Sequence, residues 1–429
     1  MLLCAAAPSA HAAQAAYGFG YISEYSSNIE RTPTDPRNDW INSVVGGIAY
    51  EENTADLAAR VSGQVEARSY AENTFSDDVV GNLDASALWT LSPQRLTWTV
   101  EDAFRMVTLD PATATTPRNV AGANIFNTGP DAYLRFGPVH TLSLGGRYGN
   151  VYVGDADIDN NRYTGIARWL YQSSPRTVWS LNLEHLNVSF DNDVLNENFK
   201  RDDAYARLLI RQARSEFTLD AGRSRIDRDR SPELEGSLGR LGWRRELSSE
   251  SSFGLSAAAG YQDVGAALLG LLTGPTATVA APVPPTGTDV VTSDLYYTRQ
   301  ADVFYTRRGS RYGGTVRVVA RELDFETTLQ DRDEAGGSLE LGYVHSATTS
   351  ATLFGDYLKI DYAQIVREDE DIHYGLRLAY LVGRNVSVGL EGRRIERAST
   401  DAGSEFVDKR ALLTVLYSTA PLYSPLSRR

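Results

Sequence analysis

Cysteine is all but missing. Cys4 is the one cysteine of the 429-residue chain, so no disulfide and no thiolate metal set can form within it. Lysine is nearly missing too: only Lys200, Lys359 and Lys409 occur, and arginine carries the rest of the positive charge. The net charge of −13 excludes nucleic acid as a partner. No phosphate loop, dinucleotide fingerprint or zinc-ligand spacing occurs, which leaves no cofactor or metal to expect. Nor is there a long hydrophobic run fit to span a membrane as a helix. The nearest stretch, Gly265 to Thr288, has no charge but holds Pro275, Pro282, Pro284 and Pro285. Proline removes a helix donor and clashes with the preceding turn, so at most Ala266 to Leu272 forms a helical turn there.

What is present is a period of two. Leu57, Ala59, Val61, Gly63, Val65 and Ala67 alternate with Arg60, Ser62, Gln64, Glu66 and Arg68, and Val386, Val388, Leu390 and Gly392 alternate with Ser387, Gly389, Glu391 and Arg393. Successive side chains of a strand point to opposite faces, so each such segment has one apolar and one polar face. About twenty segments of this kind run from 16–28 to 407–418. Their connections alternate in length. Short turns, such as Ser92-Pro93-Gln94-Arg95 and Gly383-Arg384-Asn385, follow long polar loops, such as Asp110 to Ala121 and Asp191 to Asp202. Mean hydropathy is only −0.31, as a barrel wetted on one face requires. The pattern predicts an all-β, closed antiparallel transmembrane barrel of 18–20 strands, with short periplasmic turns and long extracellular loops.

The N-terminus reads as the remnant of a signal peptide over 1–12, ending at the small-x-small site Ala10-His11-Ala12. The apolar run before Cys4 is too short for a lipoprotein signal. Residues 13–429 read as a single barrel domain, with 265–292 a long extracellular loop and the best candidate for a gate or plug. Trp89 and Trp98 flank one short turn and Trp169 and Trp179 another, all in phase with apolar neighbours, as a membrane-interface girdle would be. Tyr50, Tyr70, Tyr152 and Tyr163 are candidates for a second belt. Two places break the rhythm: Asp102 falls on the apolar phase between Val100 and Phe104, and Phe354 to Ile360 is mixed.

The polar phase assigns a lumen lining to Arg60, Glu66, Arg68, Glu101, Arg105, Arg147, Glu184, Arg207, Arg211, Arg240, Arg244, Arg317, Arg321, Glu340, Arg377, Glu391 and Arg393. Such a wall would hold water and select on charge and size. Its guanidinium forks would meet anionic or hydroxyl-rich sugars, or else knit the strands together through cross-strand carboxylates. Acidic loops such as Asp155, Asp157 and Asp159 lack the glycine of a calcium loop and read as solvated. A hydrolase set could be sought in His185 with Ser180, Asn187 and Ser189, but no nucleophile motif accompanies it, so a non-enzymatic protein is expected.

Two strings, YISEYSSNIER at 21–31 and NIFNTGPDAYLRFGP at 124–138, resemble the EpsL-like outer-membrane barrels of exopolysaccharide gene clusters linked to PEP-CTERM systems. The resemblance implies a Gram-negative outer membrane and a role in exopolysaccharide production or export. Lipopolysaccharide, exopolysaccharide and periplasmic export machinery would then be the partners. It supplies no catalytic residues. A general diffusion porin and a structural anchor for surface polysaccharide are the alternatives. One departure is the C-terminus, which runs past Leu413, Val415 and Tyr417 to Arg429 instead of ending on an aromatic residue.

Overall fold

The computed structural model describes residues 11–271 and 291–419. Its strands are β1 (His11–Ser26), β2 (Asp39–Asn53), β3 (Leu57–Tyr70), β4 (Asp78–Ser92), β5 (Leu96–Thr108), β6 (Val120–Phe136), β7 (His140–Val153), β8 (Asn160–Ser174), β9 (Thr177–Phe190), β10 (Phe199–Gln212), β11 (Ser215–Arg228), β12 (Leu234–Glu246), β13 (Ser251–Gln262), β14 (Tyr296–Arg308), β15 (Tyr312–Phe325), β16 (Arg332–Val344), β17 (Thr349–Tyr362), β18 (Arg367–Val382), β19 (Val386–Ser399) and β20 (Phe406–Ser418). Each is antiparallel to its neighbours in chain order, and β20 pairs back onto β1 from Gly18↔Ser418 to Ser26↔Arg410. Closure leaves no free sheet edge, the condition for strands to sit in hydrocarbon. β1 starts at His11, paired with Asn53, two residues before the barrel's expected start. The rest of the expected leader, 1–10, lies outside the described residues.

Cross-strand partners share a face, so the register decides what points out. Leu57 pairs with Trp89, Trp89 with Trp98 and Trp98 with Pro130, all on one side. That side carries Phe19, Val44, Ile48, Val65, Leu181 and Leu183, the last 60% exposed. An apolar band this wide, open around a closed wall, is a lipid-facing surface. All four girdle tryptophans lie on it near the short turns, and Trp243 joins them. At the loop end the same face turns charged. There Arg299 meets Glu322 at 2.7 Å, Lys359 meets Glu368 at 3.0 Å and Arg394 meets Glu396 at 2.7 Å. The tyrosine belt is only partly as expected. Tyr152 and Tyr163 are exposed on the outer face, but Tyr50 sits at the turn end, and Tyr70 points inward and is buried against Phe75.

Both breaks in the rhythm are real features of the wall. The β5–β6 register is continuous, so Asp102 stays on the outer face, where Asn124 Nδ2 donates to it at 3.0 Å. In β17, Phe354, Asp356, Leu358 and Ile360 point inward and Tyr357 and Lys359 outward. The inner face is therefore not polar throughout. Near the loop end of β5 to β11 it is apolar: Val107, Ile125, Val151, Val188, Phe190, Phe199 and Ile226 form a buried cluster. The reason lies in the loop after β13. Its helix α1 (Val264–Leu271) folds inward, and Val264 is buried in that cluster, so side chains there meet protein and not water. The expected extracellular loop and gate candidate, 265–292, thus begins inside the mouth; 272–290 lies outside the described residues.

Candidate functional site: a charged chamber in the lumen

The register puts all seventeen expected lining residues on the inner face, but as pairs more often than as free charges. Arg105 meets Asp84 at 2.5 Å, Arg207 meets Asp220 at 2.7 Å, Arg321 meets Glu334 at 2.5 Å and Arg377 meets Glu391 at 2.6 Å. Arg147 pairs with Asp131 and Arg317 with Asp302. Arg240 shares Asp220, Arg68 holds Glu66 at 3.0 Å and Arg211 holds Glu216 at 3.0 Å. Glu184 accepts from Tyr205 Oη at 2.7 Å and Glu101 from Asn127 Nδ2 at 3.1 Å. Arg60, Arg244 and Glu340 form no ion pair among the described residues. Much of the lining is thus a cross-strand ladder that ties neighbouring strands.

Six of the seventeen, Glu66, Arg68, Glu340, Arg377, Glu391 and Arg393, converge with residues the polar phase did not single out. Together they line a chamber of about 690 Å³. Its walls are the loop ends of β1 to β5 and of β17 to β20, and it reaches down the wall to Glu340 of β16 and Thr352 of β17. At its centre Glu24 accepts from Arg393 at 2.8 Å and from Arg410 at 2.5 Å, and Arg410 also holds Asp408 at 2.6 Å. Glu24, Asp408 and Arg410 sit on the inner phase of their strands, so the same alternation could have found them. Arg31 could not be found that way. It lies in the β1–β2 loop with φ +53°, enters the chamber from above, and stacks over the Phe406 ring at 5.5 Å.

The β5–β6 loop, 109–119, forms the chamber's other wall through Thr115, Thr116 and Pro117. It is stiffened from within. Asn119 Nδ2 donates to the Asp110 carbonyl at 2.7 Å, and Thr113 Oγ1 donates to the Asp110 carboxylate at 2.7 Å. Its tip reaches across to strands far round the ring: Arg367 Nη2 donates to the Ala112 carbonyl at 2.6 Å and Arg397 Nη1 at 3.4 Å. Each arginine is anchored by a carboxylate, Asp369 at 2.7 Å and Asp371 at 2.6 Å respectively. A charge-assisted bond to a backbone carbonyl needs no particular loop side chain, which is why nothing in the loop's sequence announces the clasp.

On the far side of the mouth α1 is docked by charge as well as by apolar contact. Asp263 caps it, accepting from Gly265 N at 2.9 Å and Ala266 N at 3.3 Å. The same carboxylate takes both terminal nitrogens of Arg162 and lies 3.6 Å from Arg201. Burial alone would raise the Asp263 pKa. The two guanidinium groups and the capping amides outweigh it and hold the pKa at about 2. Gly265 lies so close to the Arg162 guanidinium that a Cβ would collide with it.

The hydrolase set is not assembled. His185 points outward and meets Asp202 at 2.7 Å; Asn187 and Ser189 lie on the same face of β9 without bonding to it, and Ser180 points inward and accepts from Asn182 at 3.0 Å. Among the described residues no group of acids and histidines is arranged to hold a metal.

No protein-family model matches the chain, and no curated protein matches it. Solved structures do. The FrpB iron transporter of Neisseria meningitidis (F3-3 variant) is 10% identical over 94% of this chain and 81% of its own, with a TM-score of 0.47. OccK2 (OpdF) of Pseudomonas aeruginosa is 8% identical over 95% and 98%, at 0.39. The siderophore receptor PirA of Pseudomonas aeruginosa is 11% identical over 94% and 80%, at 0.44.

Proposed function

We propose that this protein is a porin-like conduit of the Gram-negative outer membrane, working without covalent chemistry. The observation that carries this reading is the two-sided wall: an exposed apolar band outside, and an arginine–carboxylate interior around a chamber of about 690 Å³. Short turns at one end and long loops at the other are the layout of outer-membrane barrels, with the loops outside the cell. Lipopolysaccharide would then surround the charged loop-end rim.

A part in exopolysaccharide production or export rests on the two strings at 21–31 and 124–138. A polymer would need a continuous path, and the 109–119 loop and α1 narrow the mouth. The chamber volume instead lies among small-molecule sites of about 300–1,000 Å³, which favours the second reading, diffusion of small hydrophilic solutes. Planar-bilayer recording tests both. Stepwise ion conductance is expected from the purified full chain, and its absence would end the conduit reading. Block by a soluble acidic polysaccharide of many residues favours export. Passage of monosaccharides with no effect of the polymer favours small-solute diffusion.

A further inference from the structure

The chamber lining carries eight carboxylates and six arginines, yet two guanidinium donors in it go unused. Glu24 is shared by Arg393 and Arg410, Glu391 is bound by Arg377, and Asp371 is bound by Arg397. Against this, Arg31 has no ion-pair partner among the described residues. Its buried Nε–H makes no hydrogen bond, nor does the buried Nε–H of Arg393. Desolvation and the neighbouring Arg410, Arg393 and Arg397 charges, only partly offset by Asp408, push the Arg31 pKa down to about 9. It is therefore still a cation at neutral pH, and one that forms no ion pair among the described residues. On the β4 wall of the same chamber the opposite holds: Asp78 Oδ1 is buried with no donor. A buried donor or acceptor left unpaired costs free energy that a matching ligand recovers.

The geometry points to this chamber as a binding site for a carboxylate-bearing sugar, its acid group on Arg31 and Arg393 and a hydroxyl donating to Asp78. This rests on the conduit reading and names its solute class. Arginine suits the acid because its planar fork takes both oxygens of a carboxylate. The hydroxyl is required because a simple anion offers Asp78 nothing but repulsion. The Phe406 ring, also in the chamber lining, lies under the Arg31 guanidinium and holds it in place.

The test is calorimetric titration of the full chain in detergent micelles with galacturonate, galactose and acetate, beside bilayer recordings of the same preparation. Galacturonate is expected to bind, with neutral galactose and hydroxyl-free acetate each at least about tenfold weaker. Arg31→Gln should weaken galacturonate about tenfold or more, the equivalent of one charge-assisted bond. Arg31→Lys should keep part of the affinity, since charge remains and the fork is lost. A far-ultraviolet circular dichroism spectrum shows which variants are folded, and should Arg31→Gln not fold, Arg31→Lys carries the comparison. Equal affinity in the wild type and the folded variant overturns the site, and acetate matching galacturonate overturns the sugar. Conductance with no acid-selective binding overturns this inference alone. Binding lost in the variant, in a preparation that passes no current, keeps the site and removes the conduit.

Discussion

Glu24 shows what a single residue does in this wall. Its carboxylate is the common acceptor of Arg393 and Arg410, so it joins β19, β20 and β1 where the barrel closes. Glu24→Gln removes the charge and strands two guanidinium groups. Arg410 retains Asp408 and Arg393 retains Glu391 at 3.5 Å, so the loss should be about 1–3 kcal/mol. A lower urea midpoint for the purified barrel would record it. Residues of this kind were readable in the sequence to the extent that they obey the period of two. Arg393 and Glu391 do, and so do Glu24 and Arg410 once the phase of β1 and β20 is followed. Arg31, Arg367 and Arg397 show the limit of that reading. Arg31 sits in a loop without period, and the other two are defined by a carbonyl acceptor that lies more than 250 positions away in the chain.

At the scale of elements, two loops reach into the mouth, 109–119 and the start of the loop after β13. The 109–119 loop hangs on the Ala112 carbonyl. Arg367→Ala removes a bond of about 1.5–3 kcal/mol, which shifts the ratio of clasped to released loop about ten- to hundredfold. Larger and noisier single-channel steps are expected, and unaltered steps would show that the loop does not set the bore. Helix α1 hangs on Asp263. Its pKa of about 2 lies below the ordinary value of about 3.9. Docking through Asp263 is therefore fully present above about pH 4 and is lost as pH falls through about 2, a contribution of about 2–3 kcal/mol. Amide exchange at Gly265 to Ala267, corrected for intrinsic rates, should rise steeply below pH 3, and Asp263→Asn should show the fast rate already at pH 6. Sequence reasoning found the long uncharged loop and named it the best candidate for a gate or plug, without finding the surface that receives it. The signal it lacked was the apolar inner face of β5 to β11. Val107, Val151 and Val188 fall on the nominally wet phase, and they make sense only once something covers them.

At the scale of the molecule, the strand count, the closure and the inside–outside alternation were legible in the sequence, because a membrane wall imposes one rule on every strand. The departures fall where that rule lapses. The inner face at the mouth is dry where Val264 of α1 and the loop residues Ile158 and Leu295 pack on it, and Asp102 tolerates the outer face because Asn124 donates to it. An arginine on the band should be costly: Leu183→Arg is expected to destabilise by about 2–4 kcal/mol if it lies near the bilayer midplane, read from unfolding in phospholipid vesicles.

The central claim, lipid outside and water within, can be measured on two adjacent residues. With Cys4 replaced by serine the chain is free of thiols, so Leu183→Cys and Glu184→Cys can each carry a nitroxide in reconstituted vesicles. We expect the label at 183 to collide with oxygen dissolved in the bilayer and be shielded from a water-soluble nickel chelate, and the label at 184 to do the reverse. Two labels equally open to the nickel chelate would contradict the account.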